Sequence, residues 1–290
     1  MNNPIRTIKT KDFSTLLTEI HDCPKTFQIQ GDFPVAEKYL TVVGSRKYSD
    51  YGKSVCEHLI SGLRGHNICI ISGLALGMDG IAHRSALENN LKTVAVPGSG
   101  LGETALYPSN HRGLRDEILD SGGCLLSEFE NDFKAVYYSF PQRNRIMAGL
   151  SNAVLIIEAE LKSGTLITSK YATEYNRDVF TVPHPIFSPT GEGPHMLLRL
   201  GATPITKPED ILDAFGMVPK EGLFLERDYS DCSENEILII NILSEPLPKD
   251  EIIRTMLNIH NKPTHITQTT LSVLEIKGLI KEEMGEVRLV

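Results

Sequence analysis

The chain has 290 residues, of which 41% are hydrophobic and 23% charged, as in ordinary soluble globular proteins. Its formal net charge of −8 argues against a dedicated duplex-DNA binder but allows a local basic pocket, because salt screens each charge beyond roughly 8 Å. The apolar runs are too short for a membrane span, and the N-terminus is too polar for a signal peptide. The five cysteines are scattered along the chain, which argues against a disulfide framework and a metal site. We therefore expect a cytoplasmic protein that needs no metal or cofactor.

Residues 1–40 are weakly patterned and are predicted to form a short N-terminal extension. The segment 27–34, F-Q-I-Q-G-D-F-P, combines alternating apolar residues with a glycine and a proline. This pattern predicts a strand and turn that lead into the main domain.

Residues 41–215 alternate short apolar strands with helical segments. The predicted strands begin near residues 41, 68, 93, 124, 153 and 178, and the predicted helices are 51–64, 80–89 and 166–175. Continuous apolar strands separated by helices indicate a parallel sheet that is covered on both faces. The fold class is therefore α/β, a doubly wound parallel sheet whose ligands are expected at the carboxyl ends of the strands, near the switch in strand order.

Glycine and serine follow several of these strands. The loops are Gly44-Ser45-Arg46, residues 72–79, residues 98–102 and Ser163-Gly164-Thr165. Glycines in one loop would only indicate a tight turn. Several such loops at corresponding strand ends predict a shared pocket for an anion or a nucleotide.

The segment 139–151, S-F-P-Q-R-N-R-I-M-A-G-L-S, places polar side chains at a predicted helix start. Unpaired N–H groups and the helix dipole favour anions there. Arg143 and Arg145 add two forked cations beside Asn144, which suits the oxygens of a phosphodiester. The alternative is an amphipathic helix whose arginines pair with carboxylates.

Residues 216–232 have glycine, proline and mixed charge without a clear period, and are predicted to be a linker. Residues 233–290 show three helical segments and a hairpin around Gly285, an arrangement that predicts a winged-helix domain. This part is acidic and its third helix has no basic cluster, so a protein-interaction role is at least as well supported as DNA binding.

Seven motifs occur in a fixed order along the chain. They are G-S-R-K-Y-S-D-Y-G from Gly44, S-G-L-A-L-G-M-D-G-I-A-H from Ser72, Y-P-S-N-H from Tyr107, L-L-S-E from Leu125, F-P-Q-R-N-R-I-M-A-G-L-S from Phe140, E-A-E-L-K-S-G-T-L-I-T-S from Glu158 and V-F-T-V-P from Val179. Through them, roughly residues 24–215 resemble the DprA/Smf family of DNA-processing proteins.

The resemblance implies a Rossmann-like domain, a homodimer and binding of single-stranded DNA. It also implies that the protein protects incoming DNA and loads a RecA-type recombinase during natural transformation or DNA uptake, without enzymatic activity. Carried over by position, the strand-binding residues are Gly44, Ser45, Arg46, Phe140, Arg143, Asn144, Arg145, Ser163, Gly164 and Thr165. One departure precedes Phe140, where this chain has Tyr137 and Tyr138 and where the family often has a basic contact.

Two other functions remain open at this point. The first is a nucleotide-binding or nucleoside-monophosphate phosphoribohydrolase-like enzyme, although Thr168 stands where such enzymes have their catalytic glutamate. The second is a transcription factor that uses the winged helix, which the acidic tail disfavours. Asp79 and His83, four residues apart on one predicted helix, are expected to form a structural hydrogen bond rather than an acid–base pair.

Overall fold

The structure is a computed structural model that describes residues 3–217, 231–243, 246–283 and 285–289, and the chain divides into two units, Met1–Phe224 and Leu225–Val290. In the described part of the first unit the strands are Arg6–Lys9 (β1), Thr26–Gly31 (β2), Lys38–Val43 (β3), Ile68–Ser72 (β4), Lys92–Ala95 (β5), Cys124–Ser127 (β6), Ala153–Ile156 (β7), Asp178–Thr181 (β8) and Thr203–Pro204 (β9). The helices there are Thr15–Thr18 (α1), Asp50–Ser61 (α2), Met78–Glu88 (α3), Arg112–Asp120 (α4), Ser139–Leu150 (α5), Thr165–Glu174 (α6), Glu192–Arg199 (α7) and Pro208–Ala214 (α8).

These strands form one sheet in the order β1-β2-β6-β5-β4-β3-β7-β8-β9. From β6 to β9 all neighbouring strands are parallel. The chain starts the parallel part at β3, builds outward to β6, and then crosses back through α5 to place β7 on the other side of β3. The switch in strand order therefore lies between β3 and β7.

Apolar side chains on both faces of the central strands hold this sheet between helices. In β7, Ala153 and Leu155 enter one hydrophobic core with α2, α3 and α8, whereas Val154 and Ile156 enter another with α1, α5 and α6. This alternation follows from the two-residue repeat of a strand. The prediction of an α/β fold with a parallel sheet is confirmed, because neighbouring strands from β6 to β9 are parallel and both faces of the sheet pack against helices.

The N-terminal segment takes part in the same sheet. Strand β2 pairs antiparallel with β6, and β1 pairs antiparallel with β2. Phe27 and Ile29 of β2 are fully buried and pack into the core with α5. The structure thus places strands of residues 1–40, which the sequence analysis treats as an extension, inside the first unit.

The second unit contains, in its described part, helices Glu234–Ile242 (α9), Lys249–Asn258 (α10) and Thr264–Ile276 (α11) and strands Leu247–Pro248 (β10), Ile280–Glu283 (β11) and Glu286–Leu289 (β12). The strands pair in the order β10-β12-β11. The three predicted helices and the hairpin are present, and the winged-helix assignment stays a prediction. Most of the predicted linker, residues 218–230, lies outside the described residues.

Neither a helix long and apolar enough to cross a membrane nor a metal-binding group of three His, Cys, Asp or Glu side chains occurs within the described ranges. All five cysteines are free thiols. Three of them, Cys56, Cys69 and Cys124, are buried, and burial raises the pKa of each thiol.

Candidate functional site

A pocket of about 480 Å³ opens at the switch between β3 and β7. The loop that follows β3 forms one wall, the loop that follows β7 forms another, and the start of α5 closes a third side. This is the place where doubly wound sheets hold their ligands. The lining residues are Val43, Gly44, Ser45, Arg46, Lys47, Ala75, Asp79, Tyr137, Phe140, Pro141, Arg143, Asn144, Met147, Glu160, Lys162, Ser163, Gly164, Thr165, Ile167 and Thr168.

The structure brings nearly all of the predicted site residues together. Those that line this pocket are Gly44, Ser45, Arg46, Phe140, Arg143, Asn144, Ser163, Gly164 and Thr165. Arg145 is the predicted site residue that does not line the pocket. Their roles toward a ligand stay predictions, but their common location follows from three chain segments that meet at one edge of the sheet.

Arg46 is an exposed cation of the pocket lining. Its guanidinium carbon lies 4.8 Å from the centroid of the Phe140 ring. A cation over an aromatic face gains roughly 0.5–1 kcal/mol at an exposed site. The ring therefore holds Arg46 at the pocket while its N–H donors still face solvent.

Arg143 has a different environment, because only 4% of the residue is exposed. Its Nη1 donates to the backbone oxygens of Gly73, at 2.5 Å, and Val96. Burial lowers the pKa of Arg143 to about 10, and nearby Asp79 opposes this effect, so the side chain is still charged at neutral pH. The role of Arg143 as a forked phosphate ligand stays a prediction. In the structure its guanidinium ties together the loops after β4 and β5.

Asp79, 6% exposed, completes this buried group. Burial raises the pKa of its carboxyl, while Arg143 and the Ala75 N–H, 3.2 Å from Oδ2, lower it. The predicted hydrogen bond between Asp79 and His83 is not formed. His83 Nδ1 instead lies 2.7 Å from Thr93 Oγ1 of β5. The Asp79 carboxylate is directed toward the loop before its own helix, where it accepts from the Ala75 N–H. Burial lowers the pKa of His83 to about 3, so His83 is a neutral core residue.

Arg145 lies outside the pocket. Its Nη2 donates to Glu128 Oε2 at 2.5 Å, and its Nε lies 3.4 Å from Asp22 Oδ2. Residues two apart on an α-helix point ~200° away from each other, so Arg143 and Arg145 leave α5 on different sides. The role of Arg145 toward DNA stays a prediction. In the structure it joins α5 to the segment after α1, as the amphipathic alternative describes.

Polar side chains of the pocket also hold its walls to one another. Thr165 Oγ1 donates to the Gly44 oxygen at 3.1 Å, which links the loop after β7 to the loop after β3. Asn144 Nδ2 donates to the Gly164 oxygen at 3.2 Å, which links α5 to the same loop. These bonds fix the shape of the pocket before any ligand arrives.

Sequence reasoning missed several side chains of the lining, including Lys47, Lys162, Glu160 and Tyr137. Lys162 lies two residues before the Gly164 turn, and Lys47 lies next to Arg46, so proximity to the selected loops was the available signal. The lining carries four cationic side chains and two carboxylates. It is therefore net positive in a chain whose formal charge is −8.

A substitution at Gly73 can test whether the Arg143 side chain is fixed in place. An alanine Cβ at this position would lie 2.0 Å from Arg143 Nη1. We expect Gly73→Ala to cost about 1–3 kcal/mol through overpacking, and to lower the melting temperature by roughly 2–12 °C. Gly164→Ala is the matched control, because a Cβ there meets nothing within 4 Å. Equal melting temperatures of the two variants in a calorimeter would show that Arg143 moves aside freely.

Comparisons with known proteins agree on one relationship. A family model described as DNA recombination-mediator protein A matches residues 4–216. Protein Smf of Escherichia coli is 38% identical over 272 residues, which cover 91% of this chain and 71% of that protein. DNA processing protein DprA of Streptococcus pneumoniae is 39% identical over 200 residues, which cover 69% of this chain and 70% of that protein.

Two solved structures have a similar fold. DNA processing protein A from Streptococcus pneumoniae superposes with a TM-score of 0.66 at 37% identity, over 73% of this chain and 74% of that one. DNA processing protein A from Helicobacter pylori, described for its single-stranded DNA binding mode, superposes with a TM-score of 0.66 at 28% identity, over 73% of this chain and 96% of that one.

Proposed function

Because this chain belongs to the DNA recombination-mediator protein A family, we propose that its pocket binds single-stranded DNA and that the protein hands the strand to a RecA-type recombinase during DNA uptake. The observation that carries the proposal is the positive pocket in an acidic protein. Arg46, Lys47 and Lys162 are exposed around it, and charged donors of this kind bind phosphate oxygens. The Helicobacter pylori relative, whose description concerns binding of single-stranded DNA, supports the same ligand.

The shape of the pocket favours a single strand over a duplex. A volume of about 480 Å³ suits a group the size of one nucleotide. A flexible strand bends to place one nucleotide inside while its neighbours contact the rim. A duplex keeps its bases paired and is stiff over about 50 nm, so its phosphates reach only the outermost cations.

A titration at several salt concentrations tests this proposal. A labelled oligonucleotide should bind more tightly as a single strand than as the duplex of the same sequence. Each phosphate neutralised on a single strand contributes about 0.7 to the slope of log affinity against log salt. Equal affinity for the single strand and the duplex, or an affinity that does not change with salt concentration, would contradict the proposed function.

Lys162 should contribute to this binding as an exposed cation of the rim. We expect Lys162→Gln to weaken strand binding by up to about fivefold, since exposed charge pairs are worth about 1 kcal/mol or less. The salt slope should fall by about 0.7 as one phosphate contact is lost. Glu160→Gln should act in the opposite direction, because it removes a carboxylate from the same lining.

Lys92→Gln is the control for Lys162. Lys92 begins β5 and so lies at the amino ends of the parallel strands, on the edge of the sheet opposite the pocket. Its substitution should leave both the affinity and the salt slope unchanged. If the Lys92 and Lys162 variants weaken binding alike, the strand follows general surface charge and not the pocket.

Transfer of the strand to a recombinase is the second part of the proposal. The family description, recombination mediator, supports it. The protein should shorten the lag before RecA-type filaments assemble on strands covered by single-stranded DNA-binding protein. An unchanged lag at saturating protein would limit the function to strand binding.

The pocket is proposed to bind and not to hydrolyse its ligand. Thr168, 1% exposed, occupies the position at which phosphoribohydrolases have a catalytic glutamate, and a hydroxyl cannot act as the carboxylate that such cleavage needs. Asp79, a carboxylate of the lining, accepts from Ala75 N–H beside Arg143. Free base released from nucleoside monophosphates would instead establish an enzyme.

A homodimer is part of the same proposal. A largely apolar groove of about 700 Å³ lies between α6 and α7, lined by Leu166, Val179, Met196, Leu197 and Leu200 among others. Leu200 is 75% exposed, and the adjoining β9 is the edge of the sheet, so a second copy would cover both. We expect Leu200→Glu to shift a dimer to a monomer in sedimentation equilibrium. A wild-type chain that sediments as a monomer at micromolar concentration would contradict the proposed homodimer.

A further inference from the structure

Exposed aromatic rings occur beside the pocket on the side of α5. Tyr137 lines the pocket and is 92% exposed, and Tyr107 is 45% exposed. The Tyr107 ring centroid lies 5.8 Å from that of Phe140. Together Tyr107, Tyr137 and Phe140 form what we term the aromatic rim.

Hydrogen bonds hold the backbone of the aromatic rim in place. The Tyr107 N–H donates to Ser99 Oγ at 3.1 Å, and Ser99 in turn accepts from Ser127 Oγ through its backbone oxygen at 2.7 Å. At the other end, Ser139 Oγ donates to the Gly98 oxygen at 2.6 Å, which fixes the start of α5 against the same loop. The Tyr107 backbone and the start of α5 are thus ordered, which lowers the entropy cost when a flat ligand stacks on the rings.

The charges of the chain segment that leads to Tyr137 disfavour phosphate. The stretch 130–138, E-N-D-F-K-A-V-Y-Y, has two carboxylates, Glu130 and Asp132, and one cation, Lys134. The exposed cations Arg46, Lys47 and Lys162 belong instead to the loops after β3 and β7. Arg46 links these loops to the aromatic rim, because its guanidinium lies over the Phe140 ring. The cationic loops therefore suit the charged edge of a strand, and the exposed rings of Tyr107 and Tyr137 suit its bases.

We propose that Tyr107 and Tyr137 stack nucleobases of the strand whose phosphates the cationic loops hold. This inference rests on the proposed function and extends it, because it gives the strand a fixed orientation with bases toward α5. Stacking is sequence-tolerant, since every base has a flat aromatic face. The protein should therefore require bases without preferring particular ones.

The experiment compares two oligonucleotides of equal length, one of thymidine and one with an abasic sugar-phosphate backbone. The wild-type chain should bind the thymidine strand at least about fivefold more tightly, the lower end of what one stacked base contributes. Tyr107→Ala and Tyr137→Ala should each reduce that advantage and leave abasic binding unchanged. Neither should change the salt slope, because no phosphate contact is lost.

Tyr107→Phe and Phe187→Ala are the controls. The first keeps the ring and should retain the preference for bases. The second removes a ring that is 91% exposed but does not line the pocket, and should change nothing. Because the chain has no tryptophan, quenching of tyrosine fluorescence by bound thymidine gives a second, direct readout of stacking.

The outcomes separate this inference from the proposed function. Equal wild-type affinity for the thymidine and abasic strands would overturn the stacking while leaving strand binding intact. Tyrosine variants that weaken both oligonucleotides equally would overturn it too, since the loss would not depend on bases. Failure to bind either oligonucleotide would instead remove the proposed function.

Discussion

Replacing Arg143 with Met should lower the melting temperature by roughly 6–20 °C. Breaking a buried charge pair costs about 3–5 kcal/mol, and each kcal/mol is worth about 2–4 °C in a unit of this size. The loss arises because Asp79 stays buried without its cation and the oxygens of Gly73 and Val96 lose their donor. Thermal unfolding followed by circular dichroism measures the shift.

The matched variant is Arg143→Met combined with Asp79→Asn. Removing both charges should cost less than the sum of the two single changes, because the buried charges of Arg143 and Asp79 interact electrostatically. Arg143→Lys should be intermediate, since one ammonium cannot replace the guanidinium at two carbonyls and at Asn144 Oδ1, 3.2 Å from Nε. If Arg143→Met keeps the wild-type melting temperature but loses affinity for the strand, Arg143 has the phosphate-ligand role that the sequence predicts.

Replacing Arg46 with Glu should weaken binding of single-stranded DNA at least about tenfold. A hydrogen bond to a charged group is worth roughly 1.5–3 kcal/mol, and about 1.4 kcal/mol corresponds to a factor of ten. The reversal also adds repulsion between a carboxylate and phosphate. Arg46 is exposed, and its described side-chain contact is the ring of Phe140, so the melting temperature should hardly change.

Arg46→Lys separates charge from geometry. Lysine restores the cation but not the planar fork, so part of the affinity should return. Both variants need their melting temperature and their affinity measured on the same preparation. A folded Arg46→Glu protein with unchanged affinity would place the strand elsewhere, and a large loss of stability would make Arg46 a structural residue.

The fold and the position of the pocket could be predicted because they depend on local pattern. Strand β4 is apolar at four of its five residues and buried at all five, and the loops that follow β3 and β7 contain the glycine and serine of a strand-end pocket. The switch rule then places the ligand between them. The strand predicted within residues 27–34 corresponds to β2, Thr26–Gly31. Strand β1 was harder to predict, because it is a short, mostly exposed edge strand with little apolar alternation.

The separate roles of Arg143 and Arg145 could not be predicted from their spacing alone. Each side chain is defined by partners far away in the chain: Arg143 by Gly73 and Val96, and Arg145 by Asp22 and Glu128. Only the rotation of α5 against the sheet decides which arginine faces the pocket. Arg46 was easier to place at the pocket, because it lies in the short loop that follows β3.

The bond from Thr165 to Gly44 joins residues 121 positions apart. A nascent chain therefore has no complete pocket until the ribosome has released the segment beyond α6 and β7 has paired with β3. Under the proposed function, truncated or misfolded copies that lack one wall would not bind DNA. A strand bound as proposed would bridge both walls and should protect this seam against heat and proteases increasingly as its concentration rises.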